Sequence, residues 1–114
     1  MSAKAKIRHI ALRTSNPEKL SSFYEKTFGF MIVGRTPGGA IYMSDGYMNL
    51  ALLTPKEGRS YGIDHFGIRV DSFEPIRAQT AIEPAYQVPG QHSEFMVRDS
   101  EGNRVDVMTE DWPH

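Results

Sequence analysis

The chain has 114 residues, of which 24% are charged and 39% hydrophobic, with a net charge of -1 and no cysteine. That size and make-up suit one folded domain, not a disordered or fibrous chain, and the scattered Lys and Arg give no electrostatic footprint for nucleic acid as a partner. Zero cysteines exclude disulfides, thiolate metal sites and cysteine nucleophiles, and fit a cytoplasmic protein, so any metal must rest on His, Asp, Glu or carbonyl oxygen.

Residues 7–13, IRHIALR, alternate in polarity and are rich in branched side chains, which predicts a strand. SNPEKLSSFYEKTFGF then carries a helix signature: Asn16 as N-cap, Pro17 in the first turn and Gly29 past the end. Leu20, Phe23, Tyr24 and Phe28 recur at three- and four-residue spacing on that helix and read as its packing face. Three strands follow near 31–36, 40–44 and 47–53, separated by the turn formers TPGG and SDG.

TPKEGRSYG reads as a linker, after which the order repeats. A strand is predicted at 63–70, a shorter helix near 73–81, a broken stretch EPAYQVPGQ, a strand near 93–98, the turn DSEGN and a strand at 104–109. IDHFGIRV therefore echoes IRHIALRT, 56 residues earlier, with a histidine third in each. Two βαβββ halves of about 55 residues would each be marginal alone, so they are expected to fold together.

Alternation assigns faces to the side chains. His9 shares a face with Ile7, Ala11 and Arg13, and His65 with Ile63, Gly67 and Arg69. The opposite faces carry Ile10 and Leu12, or Phe66, Ile68 and Val70, and are expected to pack beneath the helices. On the last strand Val105 and Val107 point to that apolar side, so Asp106 falls on the other with Arg104 and Met108. A carboxylate in mid-strand is disfavoured and, once buried, needs a cation. A metal shared with the two histidines would serve, and so would an ion pair with Arg13, Arg69 or Arg104. The equivalent strand of the first half, YMNLALL, offers Asn49 or Ala51 at the matching place and no carboxylate.

The segments RHIALRT, FYEKTFGF, DHFGIRV and RDSEGNRVDV, in that order, resemble the vicinal oxygen chelate superfamily. It includes glyoxalase I, methylmalonyl-CoA epimerase, extradiol dioxygenases and the fosfomycin and bleomycin resistance proteins. The resemblance implies an α+β fold: two βαβββ modules, about 5–54 and 62–110 within one domain of residues 1–114, forming an open curved mixed sheet with helices on the outer face. It also implies a divalent metal on His9, His65 and Asp106, with Fe(II) favoured over Mn, Ni, Co or Zn. The family's last-strand ligand is usually Glu, and here it is the shorter Asp.

Two histidines and one carboxylate leave coordination positions open, the arrangement associated with non-heme Fe(II) oxygenases. Glyoxalase-like and epimerase-like members use four protein ligands and a carboxylate that moves a proton, which an alanine at position 51 cannot supply. The reading is thus a metal enzyme acting on a small molecule that chelates through vicinal oxygens, dioxygenase-like ahead of glyoxalase- or epimerase-like. The competing class is a resistance-type protein that binds a small molecule without catalysis. His92 and Glu94 are candidates for the missing ligand or base, against the ordinary reading of exposed surface residues. Tyr42, Tyr47 and Tyr86 read as packing, SDG and SEGN as hairpin turns, and Trp112 as a cover for a neighbouring surface. No apolar run approaches the roughly 18 residues of a membrane span and MSAKAKIRHI lacks a signal-peptide core, so no membrane partner is expected. Relatives with one pair of modules commonly pair as homodimers, and a homodimer is expected here.

Overall fold

A computed structural model describes residues 4–86 and 94–114. Among the described residues, eight strands and two helices follow the order β1 (Lys6–Arg13), α1 (Pro17–Phe28), β2 (Met31–Arg35), β3 (Ile41–Ser44), β4 (Asn49–Leu53), β5 (Gly62–Arg69), α2 (Glu74–Arg77), β6 (Glu83–Tyr86), β7 (Glu94–Arg98) and β8 (Arg104–Met108). The fold is α+β and repeats βαβββ twice, as the sequence predicts. By contacts the chain forms two compact bodies: Arg8–Asp64 with Trp112–His114, and His65–Asp111 with the N-terminal segment up to Ile7. Among the described residues no helix is long and apolar enough to cross a membrane.

In the first body the strand order is β2-β3-β4-β1, with β1 and β4 parallel and the other pairs antiparallel. Helix α1 begins where Asn16, in extended conformation, accepts a hydrogen bond from the Lys19 amide, and ends where Gly29 takes φ 74° and its N–H reaches back to Glu25 and Tyr24 carbonyls. Both signals are local, which is why they are legible in sequence. Asn16→Ala is expected to lower stability by about 1 kcal/mol, read as a reduced urea midpoint with an unchanged slope.

The packing face of α1 is narrower than predicted. Leu20 and Tyr24 pack against Ile41, Met43 and Leu52 of the sheet, whereas Phe23 and Phe28 are 52% and 61% exposed. Ser21, buried and bonded through its hydroxyl to the Glu18 carbonyl, turns toward the sheet instead.

In the second body the order is β5-β8-β7-β6, again with one parallel pair, β5 and β8. Its core gathers Val70 and Val107 with Ile68, Phe73, Ile76 and Val97. Here two expectations fail. The helix near 73–81 is a single turn, Glu74–Arg77, and Phe73 makes no side-chain cap. The first part of the broken EPAYQVPGQ stretch is strand β6, which pairs with β7 around a register shift between Pro84 and Tyr86. β6 is an edge strand, where a proline without an N–H is tolerated.

The two predicted hairpin turns are present. Asp45 accepts from the Tyr47 and Met48 amides, and Asp99 from those of Glu101 and Asn103. In Asp45 these bonds, from Met48 first and then Tyr47, hold the carboxyl below its usual range.

Candidate metal centre

The carboxylate half of the candidate site is built by β5 and β8. Asp106 lies opposite Gly67 in the parallel register, so the residue two places before Gly67, His65, shares its face. His65 Nε2 lies 3.1 Å from Asp106 Oδ2, with the two side chains 5% and 0% exposed. Arg104, two residues before Asp106 on the same face, forks onto it: Nε to Oδ1 at 2.8 Å and Nη2 to Oδ2 at 3.1 Å.

Of the three arginines offered by the sequence as ion-pair partners, Arg104 is the one placed on Asp106. Arg13 instead donates to Asp64 at 3.3 Å and to the Thr54 carbonyl at 2.8 Å, and Arg69 lies 3.7 Å from Asp111. Burial alone pushes the Asp106 carboxyl up, but the hydrogen bonds from His65 and Arg104 and their charge outweigh it and hold the carboxyl below the ordinary range. Asp106 is therefore an anion at neutral pH, as a metal ligand must be.

The other half lies on β1 and β4. His9 is paired in register with Asn49, and Ala11 with Ala51. Because Ala11 pairs with Ala51 as Gly67 pairs with Asp106, Ala51 is the positional counterpart of Asp106, and Asn49 that of Arg104. His9 is 4% exposed, its Nδ1 lies 2.7 Å from Asn49 Oδ1, and the Trp112 ring stacks on it at 4.7 Å with an interplanar angle of 3°.

The secondary candidates fare differently. Glu94 opens β7 opposite Tyr86 and is half-buried. It shares a face with Met96, the register partner of Asp106, so it lies on the carboxylate side of that sheet. His92 lies outside the described residues. Trp112, expected from sequence to cover a neighbouring surface, stacks on His9, a place the sequence does not reveal. Its aromatic character near the end of the chain was the sole signal.

A divalent ion fits the His65 and Asp106 donors. Ligand bonds of about 2.0–2.2 Å place neighbouring donor atoms about 3.0–3.5 Å apart, and Nε2 and Oδ2 stand at 3.1 Å. The arginine fork takes one lone-pair site on each oxygen, and an ionised carboxylate has about four. Capacity for a metal remains.

The sequence matches the family model described as Glyoxalase/Bleomycin resistance protein/Dioxygenase superfamily over residues 6–107. The chain belongs to this superfamily. Solved structures with the same fold include a hypothetical protein from Bacillus halodurans C-125, with TM-score 0.72 and 18% identity, covering 97% of this chain and 99% of that one. Methylmalonyl-CoA epimerase from Mycobacterium tuberculosis has TM-score 0.72 and 16% identity, over 94% and 88% of the two chains. A 2,3-dioxygenase from Pseudomonas sp. KL28 has TM-score 0.71 and 20% identity over 95% of this chain, which spans only 41% of the dioxygenase. At such identities the likeness is one of fold. Comparison with curated proteins gives no significant match. The superfamily spans dioxygenases, glyoxalases and resistance proteins, so membership sets the range of chemistry and leaves the choice to the site.

Proposed function

We propose that the chain is a divalent-metal enzyme acting on a small molecule that chelates through vicinal oxygens, with dioxygenase-like chemistry, and that His9, His65 and Asp106 hold the ion. The observation that carries the reading is the buried 3.1 Å approach of His65 Nε2 to Asp106 Oδ2, in a carboxyl held ionised. Fe(II) is the favoured ion over Mn, Co, Ni or Zn, because two imidazoles and one carboxylate with open positions suit non-heme iron. When bound, the ion supplies Lewis-acid polarisation and redox chemistry to the chelated oxygens. Arg104 orients Asp106 and, after His65, helps hold it ionised; Asn49 orients His9.

Ala51 at the counterpart of Asp106 supports the oxygenase-like choice over a glyoxalase- or epimerase-like one, since a methyl group moves no proton. Glu94, on the Asp106 face of its sheet, is the candidate base if proton transfer is the chemistry. One observation favours a metal-free, resistance-type binder as the second reading: the Arg104 fork already gives Asp106 a cation.

The proposed protein is a single domain of two modules, cytoplasmic, and a homodimer in solution. Its partner is a small molecule and neither a membrane nor nucleic acid. Fe(II)-loaded protein, prepared anaerobically and then given oxygen with a panel of catechols, is expected to consume oxygen with ring-cleavage absorbance. Turnover of a hemithioacetal without oxygen uptake would move the assignment to the isomerase-like class, and silence in both would favour the binder. Light scattering at micromolar concentration is expected to give the mass of two chains, and a single-chain mass would remove the dimer.

A further inference from the structure

The C-terminal residues Trp112–His114 belong to the same compact body as His9 and Asn49, and they fix the orientation of an amide that would otherwise be ambiguous. Asn49 Nδ2 lies 2.7 Å from the Pro113 carbonyl oxygen. A backbone carbonyl only accepts, so the Asn49 NH2 must face Pro113 and its Oδ1 must face His9. That oxygen in turn only accepts, and it lies 2.7 Å from His9 Nδ1. Nδ1 therefore carries a proton, and in the neutral ring the lone pair resides on Nε2.

We propose that Asn49 and the C-terminal segment form a positioning device for His9, a chain of hydrogen bonds from Pro113 through Asn49 that holds the imidazole as its Nδ1–H tautomer and presents Nε2 as the ligand nitrogen. The tautomer follows from the hydrogen bonds alone; the ligand role of Nε2 rests on the metal reading above. Trp112 sets the ring plane by stacking, and it is seated there by that contact and not by its own donor, since its buried Nε1 has no hydrogen-bond partner among the described residues. His114 Nδ1 lies 2.9 Å from the Trp112 carbonyl and closes the segment's own turn. Asn49 is wholly buried and Trp112 nearly so, so the bond between Asn49 and His9 is shielded from competing water, while Pro113 at the other end of the chain of bonds is exposed.

Both modules thereby hold their histidine from the residue two places before the carboxylate position. Arg104 acts on His65 by way of Asp106, and Asn49 acts on His9 directly. Ala51 supplies no carboxylate as intermediary, so a neutral amide holds His9 directly where a charged fork acts through Asp106 in the other module. A neutral hydrogen-bond partner of a ligating histidine, as Asn49 is for His9, typically governs metal affinity by 10–100-fold.

The test uses nitrogen-15 NMR of the imidazoles in metal-free, full-length protein, above the range where histidine titrates. Wild type is expected to show His9 with a protonated Nδ1 and an unprotonated Nε2. Asn49→Leu removes the acceptor and is expected to yield a ring with Nε2 protonated in part or in whole, with divalent-metal affinity reduced about 10–100-fold. Asn49→Asp keeps an acceptor for Nδ1 but loses the donor to Pro113. It is expected to retain the tautomer while the emission of Trp112, the single tryptophan, shifts to the red as the segment loosens. A chain ending at Asp111 guards against a misfolded Asn49→Leu, and it too is expected to lose the single tautomer.

A wild-type His9 protonated at Nε2, or a tautomer and metal affinity unchanged in both Asn49→Leu and the shortened chain, would overturn the proposal. Wild-type protein that binds no metal yet shows the Nδ1–H ring would retire the metal reading while supporting the positioning device.

Discussion

Asp106→Asn is expected to cost about 3 kcal/mol of folding stability and to abolish stoichiometric metal uptake. The substitution keeps shape and removes charge. Its amide nitrogen would replace Oδ2, where both His65 Nε2 and Arg104 Nη2 now approach at 3.1 Å, so a donor would meet the guanidinium. Arg104, only 15% exposed through its side chain, would be left with a buried charge and half its fork. A loss of this size is a large part of the 5–15 kcal/mol that holds a typical domain together. Urea unfolding followed by circular dichroism measures it. Asp106→Asn within 0.5 kcal/mol of wild type would show that the network contributes little.

Arg104→Met separates the role of the cation from that of a metal. Without the fork, Asp106 keeps a buried charge met by His65, and the metal-free protein is expected to lose about 3 kcal/mol. The arginine's repulsion of an incoming ion is lost at the same time, so added divalent metal is expected to raise the melting temperature of Arg104→Met by more than that of wild type. Saturation at 100 times the dissociation constant would restore about 2.7 kcal/mol. If metal leaves both melting temperatures unchanged, the guanidinium is the only cation the carboxylate needs, and the resistance-type reading takes precedence.

The same variant carries a pH signature. The folded Asp106 carboxyl lies below its ordinary value, so its stabilising contribution is complete above an unfolded value of about 3.9 and is lost as pH falls through the folded one. Removing Arg104 deletes one of the groups that hold the value down. The acid-unfolding midpoint of Arg104→Met is therefore expected to move to higher pH, in a series of thermal melts from neutral pH down to about pH 3.

Local signals in the sequence carried most of the fold. Asn16, Pro17 and Gly29 mark α1 because each acts on the backbone within one turn, and alternation along β1 and β5 places both histidines on the face opposite the apolar one. The misreadings have a common cause in tertiary context. FEPIRAQTAI holds enough helix formers to suggest two turns or more, yet only Glu74–Arg77 is helical. Glu83–Tyr86 looks broken because of Pro84, which an edge strand accommodates. Phe23 fits an apolar stripe by spacing, but Leu20 and Tyr24 are the residues that pack on the sheet and Phe23 stays exposed.

In the candidate site, the shared face of His65 and Asp106 is legible in the sequence and the groups that support the histidines are not. His65 and Asp106 follow from strand alternation and the repeat. Asn49 was visible only as one of two residues at a place lacking a carboxylate, because its partner, the Pro113 carbonyl, lies 64 positions away and carries no side-chain signature. Trp112 on His9 is equally non-local. Arg13, Arg69 and Arg104 are equal candidates by sequence, and only the rotamer that forks Arg104 onto Asp106 distinguishes it.

One ion held by His9, His65 and Asp106 is the proposed centre, and equilibrium dialysis with metal analysis tests that proposal most directly. Metal-free protein, dialysed in turn against Fe(II) without oxygen and against Mn, Co, Ni and Zn, is expected to retain one ion per chain. That uptake should disappear in His9→Ala, His65→Ala and Asp106→Ala, each shown to be folded by circular dichroism. Failure of all five metals to bind stoichiometrically, or uptake that survives each of the three substitutions, would contradict it.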